Sequence, residues 1–144
     1  MIAGNVFNNN STRGGATGVM NYAGNPQAIT TAGQYCPIIA TFPSIIDSVY
    51  YVIQAGAGVS AVIVGIQLLL AFEPNGTQTW VTATTPNSAT ATSFNLINGT
   101  APGIYNGSLN VSGGIFAPIN GIRLNVATLT GGNITYAQLS GTVR

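Results

Sequence analysis

Between Val59 and Thr84 the apolar and polar positions predict one long β-hairpin. Val62, Val64, Ile66, Leu68, Leu70 and Phe72 fall at every second position, with Ala61, Gly65, Gln67 and Glu73 among the residues between them. A period of two is that of a strand. Pro74, Asn75 and Gly76 then supply a three-residue loop: proline pre-sets φ, asparagine tolerates a turn, and glycine takes a left-handed conformation without a Cβ clash. The return strand is predicted over Gln78 to Thr84. A three-residue loop sets Glu73 opposite Thr77 and Leu70 opposite Trp80, whereas a two-residue Asn75-Gly76 loop would pair Trp80 with Ala71 on the other face. The first register is preferred because it adds the largest side chain to the apolar layer.

The same reading places strands at Ser48 to Gln54, Ala91 to Ile97, Ile104 to Val111, Gly121 to Leu129 and Asn133 to Val143. Ile115 to Ile119, bounded by Pro118, suits a short edge strand. Asn106-Gly107 within the Ile104 stretch allows either a tight hairpin or a bulged strand. Gly131-Gly132 reads as the turn into the last strand. No ten-residue apolar pattern with a period of 3.6 occurs, so helix is a minor component. These features predict an all-β chain, an antiparallel β-sandwich or jelly roll of about seven or eight strands over residues 41–144.

Residues 1–40 have no sustained periodicity and carry Asn8-Asn9-Asn10 and paired glycines. They predict an extended N-terminal arm, whose Ile2, Val6, Phe7, Val19, Met20 and Tyr22, with Arg13, are candidate partner contacts. The alternative is a tail without fixed structure; an arm ordered by its partner would couple folding to binding.

Composition narrows the function. At 144 residues the chain is one domain of ordinary size. Only Arg13, Asp47, Glu73, Arg123 and Arg144 ionise, 3 % of residues with net charge +1, against a usual quarter. So little charge gives weak colloidal protection and favours association. Asn, Thr, Ser and Gln supply the polarity instead, and such a surface can be buried against a neighbour. Three arginines cannot make a basic stripe, which argues against nucleic acid. With no His, a single Cys and two carboxylates, metal clusters and Ser-His or Cys-His pairs cannot be assembled from one chain, so no catalytic, metal or cofactor site is expected. Asp47 and Glu73 are better read as turn and solubility residues than as an acid/base pair. Gly56-Ala57-Gly58-Val59-Ser60-Ala61 matches a dinucleotide-binding fingerprint, but Val62-Ile63-Val64 after it alternates as a strand where that fingerprint needs a helix.

Cys36 beside Pro37 can form no intrachain disulfide and reads as a buried apolar thiol. Met1 to Met20 has neither a basic n-region nor an apolar h-region, so no secretory signal is read there. Val49 to Phe72 is long and uncharged enough to span a bilayer as a helix, yet its glycines, β-branched bias and alternation favour strands. Among Tyr50, Tyr51, Trp80, Tyr105 and Tyr136, exposed rings would suit sugar stacking, and buried ones core or interface packing.

A long apolar strand leads into NGTQTW; a glycine-rich middle follows, then a strand with one arginine and a Gly-Gly hairpin, GIRLNVATLTGGNIT, carrying Arg123, Gly131 and Gly132. From Val62 onward this order resembles small β-sandwich, jelly-roll-like virion accessory proteins of tailed bacteriophages, of the capsid decoration or cement type. Here the turn reads Glu73-Pro74-Asn75-Gly76 where an aspartate-glycine turn is more usual. The resemblance implies a non-enzymatic structural protein on the capsid surface, assembled in the host cytoplasm. Its partners would be its own copies, as a homotrimer, and a major capsid protein. The rival from another class is a carbohydrate-binding or host-adhesion sandwich, and a membrane protein is the third.

Overall fold

A computed structural model describes residues 6–7, 19–24, 27–40, 45–70, 78–85, 90, 92–110 and 118–143. Among the described residues lie ten strands, β1 (Val6–Phe7), β2 (Val19–Gly24), β3 (Gly33–Ile39), β4 (Ile46–Ala55), β5 (Ala61–Leu70), β6 (Val81–Thr82), β7 (Asn95–Gly99), β8 (Gly103–Asn110), β9 (Ile119–Thr130) and β10 (Ile134–Val143). For β1 and β2 the backbone path alone is described. No helix is present among the described residues, and none is long and apolar enough to cross a membrane. The apolar run from Val49 divides at Gly56–Gly58 into β4 and β5.

Every pairing among the described strands is antiparallel, and the pairings form one continuous ten-stranded network that folds over into two sheets. One runs β2-β10-β4-β8, with β1 beyond β2; the other runs β3-β9-β5, with β7 and β6 sharing the far side of β5. A single pair, Ile46 with Ile119, links them. Apart from β5, β6 and β7, which stay together, the chain changes sheet at each connection from β2 to β10. This order is that of a jelly roll.

Alternation explains the core. Val49, Ile53 and Ala55 of β4 with Ala137 and Leu139 of β10 face Val62, Val64, Ile66 and Leu68 of β5 and Ile122, Leu124 and Val126 of β9, and all are buried. Burying one such aliphatic side chain contributes roughly 1.5–3 kcal/mol. Tyr51 closes the sandwich toward β7, donating its hydroxyl to the Leu96 carbonyl at 3.2 Å. At the far end the Gly131-Gly132 turn, with Gly131 at φ 85°, lies against the Ala57-Gly58 turn. A Cβ on Gly58, itself at φ 88°, would meet the Gly131 carbonyl oxygen at 2.8 Å, so side chains are excluded where these turns meet.

Four expectations change. The sheet begins well before residue 40: Ile29 exchanges both backbone hydrogen bonds with Ile134, β3 pairs with β9, and Ile29, Cys36 and Ile38 are in the core. Residues 33–39 hid this because the strand is broken between Tyr35 and Ile38, where Cys36 sits at φ 57° beside Pro37. Asn106-Gly107 neither turns nor bulges, since β8 pairs with β4 without a shift. Gly107 is there because the Tyr51 ring crosses it; a Cβ would meet the Tyr51 hydroxyl at 2.7 Å. Ile119 opens β9, while Ile115, Phe116 and Ala117 of the expected edge strand lie outside the described residues. Finally, β5 and β6 pair as Leu68 with Val81 and Gln67 with Thr82, one residue from the register that sets Leu70 opposite Trp80. A one-residue slip moves every side chain to the other face.

Candidate interaction surfaces

The slip places Trp80 outside the main core. Leu70 packs on the core as expected, whereas Trp80 is half-buried, with the Arg123 guanidinium 4.3 Å above its ring centroid. Arg123 of β9 faces Gln67 of β5 across the sheet. Its Nε and Nη2 donate to Gln67 Oε1 at 2.8 and 2.6 Å, and Gln67 Nε2 reaches Thr82 Oγ1 at 3.4 Å. Burial pulls the guanidinium below its ordinary pKa. Beside this group, Gln34 Nε2 donates to Asn125 Oδ1 at 3.0 Å. The outer face of the β3-β9-β5 sheet is therefore a network of amides and hydroxyls around one cation that is held by an amide oxygen and a ring.

The outer face of the other sheet is more apolar. Along β4, Tyr50 and Val52 point out, and along β8 and β10 so do Ile104 and Tyr136; their exposures are 49 %, 38 %, 65 % and 44 %. Register makes them neighbours, because Gln54 lies between Ile104 and Tyr136, and Val52 between Asn106 and Gln138. Along β10 the Tyr136 hydroxyl hydrogen-bonds Gln138 Oε1, and Gln138 Nε2 donates to Ser140 Oγ at 3.0 Å, which fixes a row of polar groups at every second residue. The outward positions from Gln54 to Tyr50 on β4, and those paired with them on β8 and β10, carry no ionisable carboxylate or cation. Tyr51 and Tyr105 instead turn inward, and the Tyr105 hydroxyl donates to the Ala101 carbonyl at 2.7 Å.

Of the expected contact residues, Val6 and Phe7 lie in β1 and Val19, Met20 and Tyr22 in β2, where Tyr22 pairs with Ser140 and Met20 with Thr142. This brings β2 beside the polar row of β10. Ile2 and Arg13 lie outside the described residues, as do Phe72, Glu73 and the expected loop residues Pro74, Asn75 and Gly76. Asp47 is half-buried in β4. The dinucleotide-like Gly56–Ala61 run leads from β4 straight into β5, so its context fails. No group of three metal-ligating residues occurs among the described residues. Val52 and Ile104 are the members of the outer face that the sequence reading does not single out; the signal for Ile104 is the strict alternation of Ile104, Asn106 and Ser108 against Tyr105, Gly107 and Leu109.

No protein-family model, curated protein or solved structure matches the chain.

Proposed function

We propose that this chain is a non-enzymatic structural protein of a virion, a decoration or cement component that associates with its own copies and coats the head of a tailed bacteriophage. The observation that carries the reading is the outer face of the β8-β4-β10 sheet. Tyr50, Val52, Ile104 and Tyr136 are exposed together amid Asn, Gln and Ser, without a charge between them. Aromatic residues are enriched and charged residues depleted at the cores of protein interfaces. The jelly roll itself is shared by capsid and lectin domains, and so supports the class without choosing its member.

The lectin-like alternative has an observation of its own. Tyr50 and Tyr136 present rings on one face, as a glycan platform requires. Electron microscopy of particles assembled with and without the protein separates the two. Decoration predicts density on the outer shell at sites repeating with the capsid lattice, and loss of particle stability without it. Protein confined to the tail, together with glycan binding abolished by Tyr50→Ala or Tyr136→Ala, would overturn the cement reading in favour of the adhesion module.

A further inference from the structure

We infer that β8 is the edge through which two copies of this chain join, antiparallel across a two-fold axis, so that the β2-β10-β4-β8 sheet continues from one copy into the next. The inference deepens the proposed self-association and rests on it. Among the described residues β8 pairs along one side only, with β4. In an antiparallel edge strand about half the residues turn their N–H and C=O outward, a ready template for another strand.

Proteins blunt such edges with shortness, proline, charge or bulges. The other described edges show these devices. The β3 edge is broken between Tyr35 and Ile38 and contains Pro37. The far side of β5 is divided between the two-residue β6 and the five-residue β7, and the β7 pairing shifts at Gly65. Beyond β2 lies the two-residue β1. By contrast, β8 is eight residues long, regular throughout, and free of proline and charge.

Its side chains suit a copy of themselves. Ile104, Asn106 and Ser108 face out, and Tyr105, Gly107 and Leu109 face in. A two-fold axis through Asn106 or Gly107 matches outward residues with outward and inward with inward. With the axis at Gly107, Tyr105 meets Leu109 of the second copy and Asn106 meets its Ser108. Ile104, the most exposed large apolar residue described, then gains cover at the join, next to Tyr136 and Val52 on the same face. The trimer implied by the phage resemblance would need β8 to meet a different edge head-to-tail, and those edges are the interrupted ones. The two-fold join is the self-complementary solution.

The test combines sedimentation of the full chain with hydrogen exchange. Wild type is expected to form a dimer whose amides between Ile104 and Leu109 gain protection as concentration rises. Asn106→Lys with Ser108→Lys brings like charges together across the join in either register and should weaken dimerisation at least about tenfold, with circular dichroism unchanged. Gln34→Lys, on the β3 edge, should leave it unchanged. A wild type that stays monomeric would overturn the inference. So would an oligomer whose β8 amides stay unprotected, or one indifferent to the paired lysines. Exchange on wild type decides the matter even if the double variant folds poorly. A chain that dimerises through β8 yet does not decorate particles would refute the virion reading and leave the strand join standing; decoration by a monomer would do the reverse.

Discussion

Trp80 and Cys36 show how position in the sheet decides what a side chain contributes. Half-buried under Arg123, Trp80 has a cation stacked on its ring, a contact of about 0.5–1 kcal/mol at exposed sites and about 2 when desolvated. Leu124, fully buried between the sheets, leaves a cavity when truncated. Urea unfolding should therefore rank Leu124→Ala, at roughly 2–5 kcal/mol, above Trp80→Ala, at about 1–2 kcal/mol. The reverse order would return Trp80 to the core. Burial pushes the Cys36 thiol from 9.0 up to about 12, so its folded form keeps the proton that the unfolded chain releases. The associated stability is complete below about pH 9 and is lost as pH rises toward 12, because the folded pKa is the higher one. Two results are expected: thiol reagents at pH 8 react only as fast as the chain opens, and Cys36→Ala flattens the alkaline decline in stability. Rapid labelling of the native protein would contradict the burial.

At the scale of elements, β4, β5, β9 and β10 were legible because each alternates apolar and polar residues over many positions. Their inward rows, from Val49 to Ile53, Val62 to Leu68 and Ile122 to Val126, are the rows the core uses. What escaped was set by non-local contact. β3 carries a left-handed Cys36 beside Pro37, so no simple period marks it, yet β9 supplies the partner that makes it a strand. Gly107 looked like a turn residue because a sequence cannot show the Tyr51 ring lying across it. The expected Trp80 register follows from preferring to bury the largest side chain, and a shift of one residue decides the face. Truncation tests the revised boundary. Removing residues 1–18 deletes only β1 among the described strands, and the chain should still fold. Removing residues 1–35 also deletes β2, Ile29 and part of β3, and should abolish the cooperative unfolding transition. A stable fold after the longer deletion would restore the view of residues 1–40 as a dispensable arm.

For the whole molecule, the sequence made the fold class and the scarcity of charge legible, but not which faces would be left open. The two outer faces differ in chemistry: one holds its cation against Gln67 and Trp80, and the other sets Tyr50, Val52, Ile104 and Tyr136 among neutral amides and hydroxyls. Neither offers the array of exposed charges that ion-pair docking requires. Contacts between exposed charges are screened beyond about 8 Å at physiological ionic strength and about 3 Å at 1 M. Apolar burial is strengthened by excluded salts such as sulfate. Sedimentation of the free protein and of the particles it is proposed to decorate, from low salt to about 1 M, tests this most directly. The account predicts that both the self-association and the attachment persist across the whole range. Release of folded protein, intact by circular dichroism, at moderate salt would contradict an assembly held by uncharged surfaces.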